Sequence, residues 1–280
     1  MNIGISTAAQ GISEEFFAKC EKAGITHIEL SGNLRDYTAE DLKNVADMAK
    51  KHNLTLWSLH LPFYPFDEID LSWPEYSEHT LEVHAGFLKL GTDIGIKNFI
   101  VHSSAPFEDI SETPVRMECA KESLKKLAEM ADEYGAVIAV ETLCANTLPK
   151  HSTAMKELLS GSEKLRICLD TNHLLAGEDF PEFLENLGEK LITLHVSDYD
   201  YVNERHWLPG EGKIDWQKMM QILRKLNYSG PWLYELIFRP EPTINRDRDL
   251  TCEDIVRNAK EIFENKPITI LGTPKEDLYK

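Results

Sequence analysis

Basic residues are the scarce charge in this chain: 30 Lys and Arg stand against 47 Asp and Glu, giving a formal net charge of −17. A field of that sign repels polyanions, and nonspecific nucleic-acid affinity comes mainly from phosphate neutralisation, so a nucleic acid is not the expected partner. Cysteine is thin as well. The five cysteines, Cys20, Cys119, Cys144, Cys168 and Cys252, are odd in number, widely spaced and free of any C-x-x-C, which argues against a disulfide framework or a thiolate zinc site. Most of them read as buried thiols. No apolar run approaches the ~20 residues of a membrane span. The first strand-like segment, residues 2–6, leaves no room for the charged and apolar regions of a signal peptide. The expectation is a soluble, cytoplasmic protein with no membrane partner. No Pro-rich or Ser/Gly-rich linker, short-period repeat or low-complexity tract divides the chain. Its 280 residues are close to the ~250 of one (β/α)8 unit, so a single domain over 1–280 is expected.

What the chain does have is a recurrent stop. Six apolar runs end on an ionisable residue: WSL on His60, FIV on His102, IAV on Glu141, ICL on Asp170, ITL on His195 and WLY on Glu235. Runs without polar alternation indicate strands covered on both faces, as in the parallel sheets of α/β proteins. Strand signals fall at 2–6, 27–30, 54–61, 98–101, 136–140, 165–169, 191–194 and 232–234. Helix signals alternate with them, with Ser13, Thr38 and Asp215 as N-caps and Gly24, Gly95 and Gly135 near C-termini. Eight strands alternating with helices predict an α/β chain folded as a single (β/α)8 TIM barrel, in which chemistry sits at the C-terminal ends of the strands. The segment 62–74 carries Phe63, Tyr64, Phe66 and Trp73 and reads either as an apolar lid or as a packed surface loop. The tail 264–280 reads as wrapping the outside of the barrel or as partly mobile.

Glu141, Asp170, His195 and Glu235 close four consecutive strands and therefore line one arc of the mouth. Three carboxylates and one imidazole suit a hard or borderline divalent ion, Mn, Mg, Co or Zn, with positions left open for water or substrate. The alternative is four unrelated strand-end polar groups, each bonded to nearby backbone. Crowded like charges call for a compensating cation, which favours the metal. His60, His102, His173 and His206 add imidazoles to the same mouth, with Glu204 and Arg205 beside the last of them. His27, His52, His79, His84 and His151 share no spacing and read as solvated or capping groups. LPGEG at 208–212 lacks the spacing of a phosphate loop and reads as a turn that delivers Arg205 and His206 to the mouth. The loop arginines Arg205, Arg239, Arg246 and Arg248 could hold a phosphate or carboxylate, or be solvated surface.

The segments AVIAVETL, CLDTNH, TLHVSDYD and LYELI, in this order and spacing, resemble the metal-binding strand ends of the xylose-isomerase-like barrel superfamily, over about residues 3–263. That group includes small sugar isomerases, ketose 3-epimerases, inosose-processing enzymes and abasic-site endonucleases. The resemblance implies that Glu141, Asp170, His195 and Glu235 are metal ligands and that Glu141 and Glu235 double as the acid/base pair. It implies substrate contacts at His60, His102, His173, Glu204, Arg205 and His206, a small-molecule sugar substrate and a homo-oligomer. The implied reaction is isomerisation or epimerisation of a sugar or sugar derivative through an enediolate. The rival reading is a zinc-dependent phosphodiester hydrolase: in the endonuclease branch nine such residues bind three zinc ions, and all nine positions have counterparts here, with Glu204 replacing an aspartate. Against it stand the net charge and short loops after strands one and two that are poor in Arg and Lys. The arginine of the H-x-G-E-x-x-R segment found in ketose 3-epimerases is also absent, with HVSDYD at 195–200 in its place, which puts the substrate in question more than the chemistry.

Overall fold

Eight short strands, almost uniformly buried, form the centre of the molecule: β1 (Ile3–Ser6), β2 (His27–Leu30), β3 (Thr55–His60), β4 (Asn98–Val101), β5 (Val137–Glu141), β6 (Arg166–Asp170), β7 (Leu191–His195) and β8 (Trp232–Tyr234). The computed structural model describes all residues except 33, 145, 150, 174–179 and 277–280, and the side chains of 180–182 are likewise left aside. Every neighbouring pair from β1 to β7 is parallel, and β8 adds to β1. The remaining seam closes through a parallel bridge between Val196 and Tyr234, where Val196 N donates to Leu233 O at 2.8 Å and Glu235 N donates to Val196 O at 3.1 Å. The (β/α)8 expectation holds. The last tail residues lie outside the described set, but β10 (Gly272–Pro274) pairs antiparallel with β9 (Ile244–Arg246), so the tail does wrap back onto the barrel.

Helices α1 (Glu14–Ala23), α2 (Ala39–Lys51), α3 (Ser77–Asp93), α4 (Thr113–Glu133), α5 (Ser152–Leu159), α6 (Phe180–Leu187), α7 (Trp216–Lys225) and α8 (Cys252–Phe263) surround the strands. Several of their starts are set by side chains that accept orphan N–H groups of the first turn. Ser13 accepts from Phe16 N, Asp215 accepts from Lys218 N, and Thr38 and Thr251 form reciprocal capping boxes with Asp41 and Asp254. Gly24, at φ 97°, ends α1 in the left-handed conformation that glycine adopts without steric cost. Among the described residues no helix is long and apolar enough to cross a membrane.

The late part of the fold is tied by buried polar links. Tyr234 Oη donates to Asn258 Oδ1 at 2.8 Å, and Asn258 Nδ2 donates to Pro209 O at 2.8 Å, so one amide joins β8, α8 and the loop after β7. Removing it would strand two buried polar groups, each costing about 1–3 kcal/mol when unpaired. Asn258→Ala is expected to lower stability by about 2 kcal/mol, read as a lower denaturant midpoint; an unchanged midpoint would show that water replaces the amide.

Candidate active site

Parallel strands in a barrel present their C-terminal residues to one mouth, and the runs that stop on charge do so here. His60, Glu141, Asp170 and His195 are the last residues of β3, β5, β6 and β7, and His102 and Glu235 follow β4 and β8 directly. Glu141, Asp170, His195 and Glu235 place one ligand atom each within 4.8 Å of one another. His195 is the hub. Its Nδ1 lies 3.0 Å from Glu141 Oε1 and 2.9 Å from Glu235 Oε2, and its Nε2 lies 3.0 Å from the carboxylate of Glu29.

Glu29 is missed by a pattern of strand-ending charges. It sits one residue before the end of β2, fully buried, with Ser58 Oγ donating to it at 2.7 Å. A signal is present all the same: a charged residue between Ile28 and Leu30, in a strand covered outside by helices, has only the barrel interior to face. Its place beneath His195 fits that of a carboxylate orienting an imidazole, with the opposite ring nitrogen turned toward Glu141 and Glu235, where it could serve as a metal ligand.

Charge is held tightly in this cluster. Burial disfavours the imidazolium of His195, but the neighbouring Cys168 and the carboxylates of Glu29, Glu235 and Glu141 outweigh it and raise its pKa well above the usual value. Burial likewise works against the charge of Glu235, yet His195 and His206 bring its pKa down to about 2. Asp170 goes the other way, to about 7, because burial dominates and Glu235 and Glu141 repel its charge. Asp170 Oδ1 accepts from Asn172 N at 2.6 Å, whereas the buried Oδ2 makes no hydrogen bond. A buried carboxylate oxygen without a hydrogen bond, beside two further carboxylates and an imidazole, fits a divalent cation as ligand set and as counter-charge.

His60 and His102 are less free than hydroxyl contacts would need to be. Their Nε2 atoms lie 2.9 and 3.1 Å from Glu141 Oε2, and His60 Nδ1 donates to Leu61 O at 2.9 Å. Burial opposes a charged His60, but its bond to Glu141 raises its pKa overall; burial prevails at His102 and lowers it. The two rings therefore clamp Glu141, and Phe63 stacks on His102 with centroids 4.4 Å apart. Above them opens a cavity of about 190 Å³ lined by Phe63, Phe66, Pro106, Leu143, Cys144, Thr147, His173, Glu204 and His206 together with the cluster. The aromatic segment after β3 thus divides. Phe63 and Phe66 face the cavity, while Trp73 packs against the Arg116 guanidinium, 4.5 Å from the ring centroid.

The loop arginines do not converge on the mouth. Arg205 Nε bonds Asp200 Oδ2 at 2.7 Å, Arg246 Nη2 bonds Glu211 Oε2 at 2.5 Å and Arg248 is bidentate on Asp254. Arg205 is not among the described residues that line the cavity, so the turn at 208–212 delivers His206 but not Arg205. Of the histidines that share no spacing, His151 does cap α5 and His79 is exposed. His84 departs from the solvated reading. It is buried, with Nε2 bonded to Pro62 O at 2.8 Å and its pKa brought down to about 4 by burial, a neutral core group that fixes the loop after β3. Cys144 also departs from the buried-thiol reading, being partly exposed at the cavity wall.

Fold and cluster together define a parallel barrel whose C-terminal mouth concentrates carboxylates and imidazoles within ligand distance of one another. Residues 17–254 match the model of the xylose isomerase-like TIM barrel family, and the chain belongs to that family. The inosose isomerase of Halalkalibacterium halodurans is 26% identical over 261 residues, covering 86% of this chain and 86% of that protein. The fructoselysine 3-epimerase of Escherichia coli O157:H7 is 24% identical over 261 residues, covering 86% of this chain and 94% of that protein. Among solved structures, a D-tagatose 3-epimerase-like protein superposes with a TM-score of 0.76 at 18% identity, over 95% of this chain and 96% of that one. AP endonuclease, family 2 from Brucella melitensis superposes at 0.73 with 17% identity, over 86% of this chain and 94% of that one. At such identities the structural likeness establishes the fold.

If Glu29 orients His195, Glu29→Gln should weaken Mn2+ binding by about 10–100-fold while leaving the circular dichroism spectrum unchanged. Unaltered affinity in a calorimetric titration would remove Glu29 from the site.

Proposed function

We propose that this chain is a divalent-metal-dependent isomerase or epimerase of a small sugar or sugar derivative. The observation that carries this reading is the four-residue cluster with ligand atoms within 4.8 Å, whose three carboxylates line a cavity of about 190 Å³ while His195 lies buried beneath them. The family membership and the inosose isomerase and fructoselysine epimerase relatives support it. A divalent ion held by Glu141, Asp170, His195 and Glu235 supplies electrostatic stabilisation of the charge that develops on adjacent substrate oxygens when a neighbouring C–H proton is removed.

The side chains do the proton work. Glu141 and Glu235 both meet His195 at Nδ1, but they come from β5 and from the end of β8, strands separated by β6 and β7, and so would reach a substrate in the cavity from different parts of the rim. One carboxylate takes the C–H proton, and return of a proton by the other on the opposite face inverts the carbon, giving epimerisation. Return on the same side to the neighbouring carbon gives isomerisation. Glu235 is the more accessible candidate, with its side chain 18% exposed, whereas Glu141 is buried and clamped by His60 and His102. Phe63, Phe66 and Leu143 offer apolar faces to the C–H side of a sugar, and His173, Glu204 and His206 offer polar partners to its hydroxyls.

One observation favours a second reading, a zinc-dependent phosphodiester hydrolase: His60, His102 and Glu141 form another group of potential ligands beside the arc. The ion pairs of Arg205, Arg246 and Arg248 with the chain's own carboxylates weigh against it, since they neutralise three of the four loop arginines that phosphate binding could use.

Incubated with its sugar substrate in deuterated buffer, the metal-loaded protein should exchange the substrate C–H with solvent. Glu141→Gln or Glu235→Gln should cut that exchange by about 100-fold or more with the fold intact. Undiminished exchange would sink the acid/base assignment, and nicking of abasic DNA by the wild type would favour the hydrolase.

A further inference from the structure

We propose that a second cavity beside the mouth is a subsite for an apolar, ring-sized substituent of the substrate, so that the chain acts on a substituted sugar rather than a free one. This rests on the isomerase or epimerase reading and narrows its substrate class. The second cavity lies where the loops after β4 and β5 meet the first turns of α4 and α5, and it measures about 330 Å³. The mouth cavity, at about 190 Å³, falls short of the roughly 300–1,000 Å³ of ordinary ligand pockets. Its neighbour supplies the missing room.

The two spaces share a wall. Thr147 lines both of them. Beside it, Cys144 faces the mouth while Asn146 and Leu148 face the second cavity, and in the loop after β4 Pro106 faces the mouth while Phe107 faces the second cavity. Consecutive Cα atoms lie about 3.8 Å apart, so the wall is one residue thick at this point. Its crest reaches solvent, with Pro106 and Asn146 exposed and Thr147 half-buried. A substituent of a few bonds spans that distance by passing over the crest.

The wall is held in place by its own bonds. Ser103 Oγ donates to Leu148 O at 2.5 Å, Leu148 N donates to Ser104 Oγ at 2.8 Å, and Phe107 N donates to Asn146 O at 2.8 Å. Both serines are buried, so the two loops are fixed against each other before a ligand arrives, which lowers the ordering cost of binding. Phe107 is fixed further by the Arg116 guanidinium, 4.5 Å from its ring centroid.

The lining selects the occupant. Phe107, Met117, Leu148 and Ala154 make a buried apolar floor, and Ile110 on the same cavity is 77% exposed. A large apolar side chain left in water beside an apolar floor gains from a ligand that covers it. Among the described residues that line this cavity there is no Lys or Arg, which disfavours a phosphate or carboxylate occupant. An aromatic ring fits best, against Phe107 and the Met117 thioether.

The test measures binding to the Mn2+-loaded protein by calorimetry, with D-fructose and with 1-deoxy-1-(p-tolylamino)-D-fructose, the same ketose carrying an aryl group. The aryl derivative should bind the wild type about 10–50-fold more tightly than D-fructose. Thr153→Trp, which fills the second cavity from the exposed first turn of α5, should reduce that advantage to about twofold or less, and Ile110→Asp should cut it by at least about threefold. D-fructose affinity should hold in both variants, because neither residue lines the mouth cavity. Equal binding of the two sugars by the wild type, or an advantage that survives Thr153→Trp, would overturn the subsite alone. Binding of neither sugar would overturn it together with the sugar reading. A wild-type dimer that Ile110→Asp dissociates in sedimentation would show that a second copy covers this face, and would also overturn the subsite.

Discussion

Three carboxylates and one imidazole within 4.8 Å of one another, nearly all out of water, impose the constraint on which the rest of the mouth depends. Like charges at such spacing in a poorly solvated place repel strongly, and the structure answers with imidazoles packed against them, of which His60 and His195 are pushed toward the charged form. His195 stands between Glu29 below and Glu141 and Glu235 above, and His60 and His102 close on Glu141. Such a cluster would be a poor way to stabilise a protein, because the burial of charge commonly costs more than pairing returns. A divalent cation shared by the three carboxylates, as the proposed function requires, would offset that cost.

The barrel makes this arrangement rigid where it matters and adjustable where it does not. The arc residues sit on or next to strand ends, anchored by ladder hydrogen bonds and by links such as that of Asp170 N, which donates to Thr142 Oγ1 at 2.9 Å. The residues that line the cavity above the arc, Cys144, His173, Glu204 and His206, sit on the loops that follow. That division places chemistry on the scaffold and specificity on the loops, as barrels of this kind do in general.

How much of this is legible in the sequence depends on whether a residue's role follows from strand direction or from loop path. The strands and the arc are legible because an uninterrupted apolar run that stops on charge marks a buried strand handing one side chain to the mouth. Glu29 is harder to see because it is followed by Leu30 and so does not end its run. Arg205 and His206 are neighbours in a loop, and nothing in their sequence spacing distinguishes the one that pairs with Asp200 from the one that lines the cavity. His84 lies on α3 at a position whose burial is decided by the loop after β3 packing onto it. Cys144 has no second cysteine nearby to mark it, since its partners, His173 and Glu204, come from two later loops.

The central claim is that the arc around His195 binds a divalent cation. The most direct measurement is anomalous X-ray scattering from crystals of the protein grown with Mn2+. The account predicts an anomalous peak at about 2.0–2.3 Å from His195 Nδ1 and from oxygens of Glu141, Asp170 and Glu235. A well-ordered mouth without a peak there, or with the manganese bound elsewhere, would contradict it.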